Sequence, residues 1–123
     1  NAFEILKALK KNETVAFVID QFMGKPYGIK TTFFGKETGS PMGLAVFYLK
    51  TKAPVVPIYT YFDREMKIHV VLEPELDLTP FISDDKEESY YRLTEHFNRQ
   101  LEKYITQHPT EWMWVHRRWK EIK

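Results

Sequence analysis

The run Val15-Ala16-Phe17-Val18-Ile19-Asp20-Gln21 decides how the rest of the chain is read. Its apolar residues are mostly β-branched or aromatic, and they stop abruptly at a carboxylate and an amide. Such a run has the length and composition of a strand buried on both faces, with Asp20 and Gln21 at its carboxyl end. In open α/β sheets that end borders the crevice where ligands bind. Two readings of the pair stand. Asp20 and Gln21 orient a substrate hydroxyl or a catalytic neighbour, or they form a polar stop that caps a loop.

Downstream, Met23 to Ile29 carries Gly24, Pro26 and Gly28 and reads as a loop. Lys30 to Phe34 is a short strand that delivers Gly35. Gly35, Gly39 and Gly43 then bracket Ser40-Pro41, an N-cap residue type followed by proline at the first helical position. The spacing predicts a helix from about Pro41 to Lys50, its free N–H groups facing the same crevice. The segment Gly35 to Gly43 is thus either an anion or oxyanion cradle holding its ligand with Ser40, or a glycine turn before a capped helix. Spacing alone favours the turn.

Pro54 closes that helix, and Val55 to Phe62 reads as a strand with Pro57 marking an edge or bulge. Asp63 to Met66 is a turn. Lys67 to Glu73 alternates Ile68, Val70 and Leu72 against Lys67, His69 and Glu73, so the two strands should form an antiparallel hairpin. Before the central run, Asn1 with Glu4 makes a capping box for a helix ending near Lys11-Asn12. After a loop from Pro74 to Ser83, Asp84 with Glu87 starts a long helix. Its apolar face is Tyr90, Leu93, Phe97, Leu101, Tyr104 and Ile105, and Pro109 ends it. Thr110 to Ile122 is expected to be a last short helix. The predicted architecture is α/β, a mixed sheet flanked by helices, in a single domain over residues 1–123.

Composition narrows the function classes. Eighteen basic residues against seventeen acidic ones create no global field, which argues against nucleic acid as a partner. Zero cysteines exclude disulfides and thiol catalysis. His69 and His96 fall on polar faces with no acidic residue at ligand spacing, so neither a metal site nor a cofactor is expected. No run of apolar residues is long enough to span a bilayer. The chain opens on Asn1 inside a helix-like segment, which reads as a piece of something longer.

The end of the chain is distinctive. Trp112, Trp114 and Trp119 interleave with His116, Arg117, Arg118 and Lys120. Guanidinium groups there could bind lipid phosphates or headgroups, with the indoles at a membrane interface. Alternatively the segment is a solvated basic helix end packed by its tryptophans.

Taken as a set, Asp20-Gln21, Phe33-Phe34-Gly35 with Ser40 and Gly43, Pro54-Val55-Val56-Pro57, and His108-Pro109 followed by Trp114-x-His116-Arg117-Arg118 resemble the late acyltransferases of bacterial lipid A biosynthesis. These lauroyl/myristoyl transferases lie within the wider glycerolipid acyltransferase-like superfamily. The resemblance covers nearly the whole chain and implies the C-terminal part of an acyltransferase domain. It implies transfer of a fatty acyl chain from acyl carrier protein or coenzyme A to a hydroxyl of a lipid A precursor or related glycolipid, by direct attack. It places the protein at the cytoplasmic face of the bacterial inner membrane, anchored by a segment absent from this chain. By the same resemblance Asp20, Gln21, Phe34, Gly35, Glu37, Ser40, Gly43, Trp114, His116, Arg117 and Arg118 belong to the substrate-binding side. The alternative is a non-catalytic α/β domain that binds lipids or membranes.

The superfamily's catalytic pair is a histidine followed five positions later by Asp or Glu, a general base and its orienting carboxylate. Only His116 has such a partner here, Glu121. With four histidines and seventeen acidic residues, chance supplies about half a match of this kind. The catalytic pair is therefore expected upstream of Asn1, and no catalytic residue is assigned within these residues.

Overall fold

A computed structural model describes residues 1–123 as an α/β fold of three helices and two antiparallel hairpins. Helix α1 (Ala2–Lys10) starts where the sequence places its cap, Asn1 Oδ1 accepting from Phe3 N–H at 3.0 Å. Left-handed Asn12, at φ 59°, turns the chain out of it.

Val15 to Ile19 belongs to no strand and pairs with none, which corrects the expectation of a doubly buried one. Val15, Phe17 and Ile19 are half-buried, whereas Ala16 and Val18 face solvent. A continuous apolar run is covered on both sides only when other elements supply both layers. Here one side alone is covered, through Phe17 against Phe47 at 5.7 Å between ring centroids.

Strands β1 (Gly28–Phe33) and β2 (Lys36–Pro41) pair from Gly28↔Pro41 to Phe33↔Lys36. Phe34 and Gly35 close the hairpin at φ 48° and 74°, both left-handed, as a two-residue turn of the I′ type requires. The residues read as a glycine loop are therefore mostly strand. Helix α2 (Gly43–Thr51) begins two residues later than expected, capped by Met42 with no side-chain hydrogen bond. Ser40 does not cap it, because its hydroxyl points inward and takes a hydrogen bond from Thr31 Oγ1 at 2.7 Å. Gly39 meets a separate demand: a Cβ there would run into the carbonyl oxygen of Met23, whose own N–H donates to Gly39 O at 3.3 Å.

Strands β3 (Ile58–Phe62) and β4 (Ile68–Leu72) form the expected second hairpin. The Asp63 carboxylate holds its turn, accepting from Glu65 N–H at 2.8 Å and Lys67 N–H at 3.0 Å. Helix α3 (Lys86–Gln107) is the longest of the three and is capped by Asp85, one residue after the expected Asp84. Its Tyr90, Leu93 and Phe97 meet Ala45 of α2 and Leu78 in the main core. Past Pro109 the chain makes one 3-10 turn to Glu111 and then runs irregularly to Lys123, so the last helix is absent. The tail residues instead go separately to β1, β2 and the Asp20 bend. No helix is long and apolar enough to cross a membrane.

Candidate functional site

The polar centre of the molecule lies where α3, the first hairpin and the tail converge. Helix α3 does not simply pack on the hairpin; its side chains occupy the backbone edge of β1. Glu95 accepts from Thr32 N–H at 2.5 Å and Glu102 from Phe34 N–H at 2.6 Å. Asn98 Nδ2 and Arg99 Nη2 donate to Thr32 O at 2.9 and 2.7 Å. A strand edge that would otherwise recruit another strand is thereby satisfied by one helix.

Beneath that edge, Asn98 Nδ2 also donates to Ser40 Oγ at 3.0 Å. Arg118 enters from the other side. Its Nη1 donates to Gly39 O at 2.9 Å, and its Nη2 donates to Ser40 Oγ at 2.7 Å. Thr38 Oγ1 answers by donating to Arg118 O at 2.7 Å. The guanidinium is 0% exposed and lies over the Phe33 ring, 4.5 Å from its centroid. No carboxylate is within ion-pair distance of it. Burial lowers its pKa to about 10, with the charge of Asp20 acting weakly the other way. Such a group is costly to bury and is tolerated through its hydrogen bonds and the ring beneath it.

Asp20 is half-buried at the rim of this cluster and accepts from Trp112 Nε1 at 3.2 Å. Its second oxygen has no partner; neither does Nε2 of His116, whose ring packs edge-on to Trp112 at 4.9 Å, nor Arg118 Nε. Trp119 Nε1 donates to Phe33 O at 2.9 Å, so two of the three tryptophans fasten the tail inward.

The structure thus gathers Asp20, Ser40, His116 and Arg118 around Trp112 and β2. It sets the other site candidates apart. Gln21 is exposed without a hydrogen bond, and Glu37 is exposed and paired with Lys30 at 2.8 Å. Phe34 and Gly35 form the hairpin tip, and a Cβ on Gly35 would meet nothing within 4 Å. No close backbone approach therefore explains that glycine; its positive φ does. Gly43 is the first residue of α2, beside Phe17. Trp114 and Arg117 are exposed, Trp114 donating through Nε1 to Pro109 O. Of the two arginines read as lipid-phosphate ligands, Arg118 is enclosed and its Nη atoms are spent inside the fold.

Sequence reasoning missed Thr31, Thr38, Asn98, Glu95 and Glu102. One signal was available: Asn98 falls on the apolar stripe of α3, between Thr94 and Leu101, where an amide demands buried partners.

Among the histidines, only His69 has an oriented carboxylate, Asp63 Oδ2 at 2.8 Å from Nε2. That contact is the largest cause holding the Asp63 carboxyl below its usual range. The pair locks an exposed hairpin turn, with the imidazole stacked flat on Tyr61 at 4.7 Å. His116 and Glu121 share no hydrogen bond or ion pair.

A comparison with curated proteins finds no match. A family model described as bacterial lipid A biosynthesis acyltransferase matches residues 2–121, from the start of α1 to within two residues of the end of the tail. The blocks on which the resemblance rested all fall inside that match, and the chain belongs to the bacterial lipid A biosynthesis acyltransferase family.

Proposed function

We propose that this chain forms the acceptor-side half of an acyltransferase. The enzyme moves a fatty acyl chain from acyl carrier protein or coenzyme A to a hydroxyl of a lipid A precursor or related glycolipid, at the cytoplasmic face of the inner membrane. The observation that carries the reading is the family match over residues 2–121. The general base is proposed to be a histidine followed five positions later by an acid, lying before Asn1 in the sequence. His69 and His116 are poor bases by geometry, the first bound into a surface turn and the second enclosed beside Trp112. Asp20, half-buried with Oδ2 held by Trp112 and a buried Oδ1 without a partner, is the residue proposed to orient the reacting hydroxyl or a catalytic neighbour from this half.

The test is acyl transfer from labelled acyl carrier protein or acyl-coenzyme A to a lipid A precursor in detergent micelles. The full reading frame should transfer label, and the 123-residue chain alone should not. No transfer by the full reading frame from either donor overturns the proposal. A loss of ~10²–10⁴-fold on His116→Ala, the scale of a missing general base, overturns the upstream assignment.

A further inference from the structure

We propose that two adjoining loop tips, Phe34 at the β1–β2 turn and Met113-Trp114-Val115 in the tail, form a wedge that inserts into an anionic phospholipid surface. The proposal rests on the reading of a lipid-linked acceptor and deepens it by naming the residues that meet the bilayer.

Met113, Trp114 and Val115 are 66%, 49% and 88% exposed, and Phe34 is 39% exposed. The tips touch, with the Phe34 and Trp114 rings 6.2 Å apart. Exposed apolar side chains on two neighbouring turns make a protrusion, the shape that enters a headgroup layer, rather than a flat face. The donors of Phe34 and Trp114 are satisfied from within. Trp114 Nε1 donates to Pro109 O, Trp114 N–H to Trp112 O at 2.9 Å, and Phe34 N–H to Glu102 at 2.6 Å. Met113 N–H and Val115 N–H have no protein partner, so the wedge suits the headgroup layer, where water and headgroup oxygens still accept, rather than the hydrocarbon core.

Charge supplies the choice of lipid. Lys36 and Arg117 flank the tips and are exposed, long enough to keep their cationic ends at headgroup level. Trp112 to Lys120 contains no carboxylate, although exposed Glu111 and Glu121 lie just outside it; Glu37 beside Lys36 is paired with Lys30 at 2.8 Å. The acid nearest the hairpin tip, Glu102, is already bound to Phe34 N–H and to Arg99 at 3.0 Å. A basic collar around an apolar tip complements an anionic surface. Trp112 and Trp119, by contrast, have indoles committed to Asp20 and Phe33 O, so Trp114 alone of the three is placed to insert.

The second hairpin also exposes apolar residues and serves as the comparison. Its turn mixes Asp63, Arg64, Glu65 and Lys67, with no excess of either sign.

The experiment uses the 123-residue chain with vesicles of phosphatidylcholine, with or without phosphatidylglycerol, whose acyl chains carry bromine to quench tryptophan. The wild type should bind the anionic vesicles, lose fluorescence, and bind less as salt is raised. Trp114→Phe should bind equally well and lose most of the quenching. Met113→Asp with Val115→Asp should weaken binding by about tenfold or more. Val70→Asp with Leu72→Asp on the second hairpin should bind as wild type does. Quenching unchanged in Trp114→Phe overturns the proposal, as does no binding by the wild type or no preference for the anionic vesicles. So does loss of binding confined to the hairpin variant. Trp114→Phe keeps the test decisive if an aspartate variant unfolds. Acyl transfer in detergent micelles needs no vesicle, so failure of the wedge and failure of the proposed reaction are separable.

Discussion

The two hairpins of this molecule are nearly equal in length and bury opposite chemistry. The first packs Thr31, Thr38 and Ser40 inside, each at 2% exposure or less, with Arg118 and Asn98 between them. The second turns Ile58, Phe62, Ile68, Val70 and Leu72 outward and sets Tyr59 and Tyr61 on the C-terminal end of α3. Tyr59 stacks on Tyr104 at 4.4 Å, and Tyr61 on His108 at 4.0 Å. Alternation in a strand separates two faces but does not say which one meets the core. That choice is made by what the neighbouring element offers: hydrogen-bonding side chains from α3 and the tail in one case, flat rings in the other.

If the first hairpin is held by its buried polar network, removing the network's centre should have the largest effect. Arg118→Leu takes one donor from Gly39 O, which keeps Met23 N–H, and one from Ser40 Oγ, which keeps Asn98 and Thr31. Losing two charge-assisted hydrogen bonds should cost about 3–5 kcal/mol, read from urea denaturation at constant slope. Arg118→Lys should recover little of this, because one ammonium cannot reproduce the guanidinium's paired contacts while lying on Phe33. A loss below about 1 kcal/mol for leucine would show that the network is replaceable by packing.

Next in size is Asn98→Ala. Asn98 Nδ2 serves both Thr32 O and Ser40 Oγ, so the substitution removes one donor from a strand edge and one from the buried cluster. The expected cost is about 1–3 kcal/mol, the scale of stranding buried polar groups. Hydrogen exchange at the β1–β2 amides should accelerate while the β3–β4 amides stay unchanged. Equal acceleration in both hairpins would mean that they unfold as one unit and the contrast is only geometric.

These two residues also mark how far the sequence could be read. Helix α3 and the second hairpin were legible because their signals are local: caps, apolar spacing, a turn, a terminating proline. The family was legible from short blocks whose order does not depend on how they pack. Ser40 was misassigned because serine before proline is a good helix start, and nothing local reveals that Asn98 and Arg118 draw the same hydroxyl inward. The run Val15 to Ile19 was assigned two buried faces from composition alone, although the pairing and the layers around a strand are long-range properties. The charge of Arg118 is legible in the sequence, and its burial is not. Of the site candidates, the chemistry of each residue was visible, but the grouping of Asp20, Ser40, His116 and Arg118 was not.

A smaller effect is expected at the tip of the first hairpin. Gly35 has room for a side chain but sits at φ 74°. Gly35→Val should cost about 1–2 kcal/mol through left-handed strain, and Gly35→Asn distinctly less, since asparagine tolerates that region. Thermal melts of the two variants separate this cause from crowding. Crowding would penalise asparagine as well.

The smallest effect belongs to the open face of the second hairpin. Val70 is 57% exposed and paired across the sheet with Thr60. Threonine matches valine in shape and strand preference and differs by a hydroxyl that solvent can satisfy at this position. Val70→Thr should therefore change stability by no more than about 0.5 kcal/mol. The same change at Val71, half-buried on the opposite face, asks a hydroxyl to enter an apolar contact and should cost more. A large loss at Val70 would mean that the face is covered in solution. Its origin would then show in the concentration dependence of the melt, since coverage by a second copy strengthens with protein concentration and intramolecular coverage does not.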